Sequence, residues 1–272
     1  MKEIVNSQKG SNNTQIGEQN NTTVNIQSNS TIYTGLSLEE VSILVTNLFL
    51  DNFPRMQQIA KEVAESRVNE LLEAAIKKIE KNKITDLSPF MDVDVQYALY
   101  EAQKNYARFA TEDLLNNLSS LIVERVKYND GDLCLKVAID KAISVISMLS
   151  AEQLDFLALL FSVSEVKFRN IKALDDLKQH LEYLDNAFPN ALKANWQHLN
   201  MLGCLQIKLM NVCKNYAKIY EFNIEEVKSI CPKNISDLSG DYSTSPIGTI
   251  IAIIYATQKT KYQFDPKIWI HN

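Results

Sequence analysis

The chain has 272 residues, 46% of them apolar and 22% charged, with a formal net charge of -5 at pH 7. That length supports a substantial core in one large domain or two smaller ones. The acidic balance argues against broad nucleic-acid binding, which rewards concentrated positive charge, but leaves room for a local basic patch.

Residues 1–34 are rich in Asn, Gln, Ser and Thr and carry few apolar residues, chiefly Ile16, Val24, Ile26 and Ile32. One copy of such a segment cannot offset its ordering entropy, which favours a disordered tail. The tail also repeats itself: GSNNTQI at Gly10–Ile16 is followed by GEQNNTT at Gly17–Thr23 and then by TVNI. Stacked in register, several copies would form amide ladders from Asn and Gln around a narrow seam of β-branched residues. Glycines at the start of each repeat suit turns. Disordered tail and β-forming assembly motif therefore both stand. For the second, the interaction residues are Asn13, Gln15, Ile16, Gly17, Asn20, Val24 and Ile26.

From Leu38 the pattern turns helical. Ser37 precedes Glu39 and Glu40, as a cap precedes an acidic first turn, and Val41, Leu44, Val45 and Leu48 mark one face. Pro54 is expected to open a second helix over 55–81, with Ile59, Val63, Val68, Leu71, Leu72, Ala75 and Ile79 on its inner face. Pro89 breaks the pattern, which resumes over 95–109 and 112–126, the latter with Leu114, Leu115, Leu118, Leu121 and Ile122 on a broad apolar side. Asn129-Asp130-Gly131 makes a turn before a helix over 133–148. Ser150, with Gln153 three residues on, starts the next helix, which includes 156–163. A helix holding Trp196, Leu199 and Leu202 ends at Gly203, and the stretch 207–222 reads equally as strand or helix. Ser245-Pro246-Ile247-Gly248 opens a last apolar helix, whose run to Ala256 covers about half the roughly 20 residues of a membrane span. The fold class is mostly α: a multihelical body at 35–189 and a small helical or winged-helix-like appendage at 190–272, behind the polar tail.

Chemistry-bearing spacings are sparse. Cys134, Cys204, Cys213 and Cys231 form no CxxC pair, and His180, His198 and His271 form no HxxxH pair, so reduced structural cysteines are expected and a zinc site is not. Asp86, Asp92 and Asp94 are the closest acidic group and read as solvated loop acids, with a divalent-cation site the sharper alternative. No phosphate-cradling glycine loop or nucleophile elbow occurs. Ser243 and Ser245 are more plausible as the start of the last helix than as nucleophiles. Arg108, Glu112 and His198 are the weak candidates for a concealed nuclease. Arg125, Lys127 and Lys136 are expected to face solvent. No cofactor and no metal are expected.

Three fragments carry a resemblance. Glu112–Leu118 with Leu121-Ile122, Ile143–Leu154, and Trp196–Leu205 followed by Ser243–Gly248 resemble, in order and spacing, the phage abortive-infection alpha family. Cys204 stands where an aliphatic residue is usual there, and Ser243-Thr244-Ser245 replaces a Leu-Thr start. The resemblance implies a cytoplasmic bacterial antiphage protein and transfers no catalytic residue. The tail from Asn12 to Gly17, continuing through Asn20-Asn21 and Val24–Ile26, is similar to bacterial amyloid-signalling motifs and the RIP homotypic interaction motifs, with Thr14 in place of their first aliphatic residue. That similarity implies templated assembly with copies of itself or with a partner bearing a similar motif. The expected function is thus non-enzymatic assembly in antiphage defence. The alternative is a toxic helical body acting on membrane or nucleic acid once the 250–256 run is exposed.

Overall fold

The structure, a computed structural model, describes residues 38–238 and 240–270, with side chains from Gln57 onward apart from those of 209, 210 and 241. The fold is mostly α, with eleven α-helices and two strands among the described residues. Its first helix, α1 (Leu38–Lys81), runs through Pro54. The expected break there does not occur: proline removes one helical hydrogen bond, but its ring holds φ near the helical value, and the good helix formers Arg55, Met56 and Gln57 follow it. Contacts divide the chain into two compact units after Glu62. Every feature below belongs to the second, from Val63 onward.

Within that unit α1 buries Leu71, Ala75 and Ile79, spaced four residues apart on one side. Val63, expected on the same face, is exposed, so the apolar stripe in the sequence extends beyond the part that packs within this unit. A 3₁₀ turn at Ser88–Met91 seats Pro89 and leads into α2 (Val93–Phe109), which buries Val95, Ala98, Ala102 and Tyr106. Polar bonds tie the two helices: Arg67 Nη1 donates to the Ala107 carbonyl at 2.6 Å and Tyr106 OH donates to Glu70 at 2.8 Å. Lys78 donates to Asn116 O and Ser120 Oγ of α3 (Glu112–Lys127), and burial lowers its ammonium to about 8, with Lys81 adding repulsion.

Local signals start the next helices where the sequence places them. Thr111 Oγ accepts from Leu114 N at the head of α3, and Asp132 caps α4 (Leu133–Val145). Ser150 and Gln153 form a reciprocal capping box at the start of α5 (Ala151–Ser164). After α6 (Leu174–Ala187) and the short α7 (Trp196–Met201), Gly203 takes φ +73°, the left-handed conformation that ends a helix most cheaply with glycine.

The ambiguous 207–222 stretch resolves into both alternatives in succession. β1 (Leu205–Met210) is followed by α8 (Val212–Tyr220), capped by Asn211, then α9 (Ile224–Ile230) and α10 (Lys233–Ser236). β2 (Gly240–Thr244) returns antiparallel to β1, pairing Leu205 with Thr244 and Ile207 with Tyr242, with an irregularity between Ile207 and Met210. The last helix, α11 (Pro246–Lys259), buries an unbroken run from Gly248 to Ala256 and packs against α3, α4 and α5. α5 is equally apolar around its circumference, as expected of helices enclosed on all sides. One carboxylate sits between them: Asp155 accepts from Tyr255 OH at 3.1 Å and from Asn190 N at 3.2 Å, so its charge is compensated by two donors.

Candidate functional site

The tail residues Asn13, Gln15, Ile16, Gly17, Asn20, Val24 and Ile26 lie outside the described residues. Within the described residues, most chemistry-bearing side chains have structural partners. Asp86 accepts from Ser88 N at 2.9 Å, and hydrogen bonding to Ser88 holds its carboxyl below the ordinary range. Asp92 stands at the N-cap of α2 and accepts from Asn129 Nδ2, while Asp94 sits in that helix's first turn. No group of three or more His, Cys, Asp or Glu among the described residues is arranged to hold a metal ion.

The nuclease candidates are also placed by local structure. His198 Nδ1 lies 3.0 Å from Gln153 Nε2 and 3.2 Å from Gln153 Oε1, and Gln153 Nε2 donates to Asn195 O, joining the start of α5 to the start of α7. The Arg108 guanidinium lies over the Phe109 ring at 4.8 Å, and Glu112 belongs to the acidic first turn of α3. Ser245 caps α11 as expected, accepting from Gly248 N and donating to Gly203 O at 2.5 Å. Ser243 does not start that helix: it lies in β2 and accepts from Gln206 Nε2.

Arg125 corrects the expectation of a solvent-facing cation, being 1% exposed. Its Nε donates to Asp140 at 2.8 Å and its Nη1 to Asn129 Oδ1 at 3.0 Å. Burial raises the Asp140 carboxyl, the Arg125 charge pulling it back. Through Asn129 and Asp92 this network joins α3 and α4 to the head of α2. Lys127 lies 3.5 Å from Glu124 and over the Tyr128 ring.

Cys204 and Cys213 are buried, Cys134 and Cys231 half-buried. Burial pushes the Cys204 thiol up to about 12, and burial with its neighbour Cys213 does the same to Cys231. All four are free thiols.

Two surface features stand out among the described residues. Along α2, on the side opposite its buried face, Val93, Tyr97 and Tyr100 form an exposed line spaced at i, i+4 and i+7, extended by Met91 and Leu87 of the preceding turn; Met91 and Val93 are 79% and 80% exposed. The second is a groove of about 780 Å³ between the turn after α5 and the segment after α11, lined among others by Lys167, Phe168, Arg169, Tyr262, Phe264 and Trp269. Neither was assigned from the sequence. The groove does have a local signal, Val-Lys-Phe-Arg at 166–169, whose burial alternates in, out, in, out as in an extended chain.

Comparison with known proteins follows the helical part. A protein-family model described only as ":-like" matches residues 35–241. The chain belongs to that family. The match spans α1 through the start of β2 and includes the turn that carries Lys167 and Arg169. No curated protein matches the chain. No solved structure matches it either.

Proposed function

We propose that this chain is a non-enzymatic assembly protein of cytoplasmic antiphage defence. The Gly10–Ile26 repeat associates copies with one another or with a partner carrying a similar motif, and α2 supplies a second contact between copies. The observation that carries the reading in the described unit is the exposed Val93, Tyr97 and Tyr100 line. A second copy suits it by charge: antiparallel packing about Tyr97 and Tyr100 sets Asp94 near one end of α2 against Arg108 near the other, Lys104 being paired with Glu101 and Asp92 bonded to Asn129 within the fold. The antiphage setting rests on the resemblance of 112–122, 143–154, 196–205 and 243–248.

The alternative of a membrane-active body is less favoured. Ile250, Ile251, Ile253 and Ile254 are all buried in α11, and exposing them would cost on the order of 10 kcal/mol, comparable to the whole stability of a typical domain. No helix among the described residues is long and apolar enough to cross a membrane.

Light scattering on the full chain tests the proposal. A triple Gln15→Ala, Ile16→Asp, Gly17→Ala variant is expected to lose the largest species, and Tyr97→Lys with Tyr100→Lys to reduce the mass further. Phage plating on cells producing each variant should show protection falling in parallel. An unchanged complex in both variants discards the reading.

A further inference from the structure

We propose that the groove between the 165–170 turn and the 262–269 segment binds a nucleoside phosphate, with the phosphate on Lys167 and Arg169 and the base against Tyr262, Phe264 and Trp269. This goes beyond the assembly reading and is independent of it.

The cationic edge comes from the backbone. Val166 and Phe168 are buried while Lys167 and Arg169 are exposed, and both cations line the groove. Two residues apart at the start of a turn, they are near enough for both long side chains to reach one phosphate group through charge-assisted bonds. The turn is held in that conformation: Phe168 N donates to Tyr220 OH at 2.8 Å, and the Phe168 ring packs on His180 and Tyr262 with centroids 4.0 and 4.7 Å away.

Neither cation is consumed within the fold, for among the described residues Lys167 and Arg169 have no carboxylate partner. The carboxylate lining the groove, Glu165, is held by Lys208 at 2.8 Å. The groove therefore presents two uncompensated positive charges on an otherwise acidic chain.

The opposite wall is aromatic and rigid. Phe264 and Trp269 pack edge-on against buried Phe161 with centroids at 5.4 and 5.0 Å, and Trp269 Nε1 donates to Glu165 O at 3.1 Å. Tyr262 and Trp269 stay partly exposed, as surfaces meant for stacking must. The Asn170 and Gln263 amides at the rim can meet a base edge. A volume of about 780 Å³ falls in the usual range for small-ligand sites. Cations beside aromatic faces are the chemistry of single-strand and nucleotide recognition, in which each base has a face to stack. A free mononucleotide and a nucleotide within a single strand share it.

The test uses the full chain carrying Trp196→Phe, which leaves Trp269 as the only tryptophan. Its fluorescence is followed during titration with adenosine monophosphate, adenosine, inorganic phosphate and a ten-residue oligouridylate. Saturable quenching by adenosine monophosphate, about tenfold or more tighter than by adenosine or phosphate alone, is expected if cation and aromatic wall act together. Saturation by the oligonucleotide with little response to the monophosphate places the same chemistry within a strand. In either case Lys167→Glu with Arg169→Glu should weaken binding at least about tenfold, with helical circular dichroism unchanged because both side chains are exposed. Phosphate binding as tightly as the monophosphate, indifference of binding to the two charge reversals, or no saturable change with any probe overturns the proposal.

Discussion

Gly248 is where a single methyl group should do the most damage. A Cβ built there would lie 2.0 Å from the Cys204 carbonyl oxygen and 2.9 Å from its carbon. Both are backbone atoms, so no side-chain rotation can relieve the overlap. The first turn of α11 would have to move away from the start of β1 by more than about 1 Å, and packed interiors transmit such strain. Two bonds clasp the two, Ser245 N to Cys204 O at 3.0 Å and Ser245 Oγ to Gly203 O at 2.5 Å, while Gly248 N donates to Ser245 Oγ at 3.2 Å within the cap of α11. Overpacking costs about 1–3 kcal/mol and weakening the cap about another 1, offset by up to about 1 for alanine's helix propensity. Gly248→Ala should therefore lose about 1–4 kcal/mol, or roughly 2–16 °C in Tm for a unit of this size. Urea unfolding followed by circular dichroism should show a lower midpoint with an unchanged slope. Gly240→Ala is the control, since its nearest neighbour to an added Cβ is Leu238 O at 3.9 Å. Equal stability of the two variants would refute the close-approach argument.

Two further outcomes follow from buried charge. His180 is lowered from 6.5 to about 4, first by burial and then by Lys261, while its Nδ1 meets Tyr262 OH at 3.0 Å. The unfolded chain therefore binds the extra proton between these values, so stability is full above pH 6.5 and falls as the pH drops towards 4. At about 1.4 kcal/mol per pKa unit, His180 contributes a loss of about 3 kcal/mol. Urea unfolding at pH 7 and pH 4 should show His180→Gln less stable at pH 7 but with a smaller acid-induced loss than the parent; an identical loss would sink the assignment. Asp140→Ala should strand the Arg125 guanidinium in the core and cost roughly 2–3 kcal/mol, below the full figure for a buried pair because Asp140 is half-exposed. Arg125→Met with Asp140→Ala should recover part of it in a double-mutant cycle, and full additivity would deny the coupling.

Local sequence chemistry determined most element starts. Thr111, Ser150 and Ser245 cap their helices because each hydroxyl satisfies an amide that the first turn leaves free. Period alone identified the Leu114–Ile122 face, since a helical stripe must be buried against something. Tertiary structure decided what such rules leave open. Pro54 continues a helix that its ring was expected to start, Val63 lies on the apolar stripe yet outside the packing of its unit, and 207–222 divides into a strand and a helix only because β2 supplies the strand's partner. Arg125 is buried because Asp140 and Asn129, brought in from α4 and the turn before it, compensate a charge that composition assigns to the surface. The groove joins 165–170 to 262–269 across about a hundred residues. No periodicity spans that separation, so the chain's cations and aromatics became a site only when α5 and α11 packed side by side.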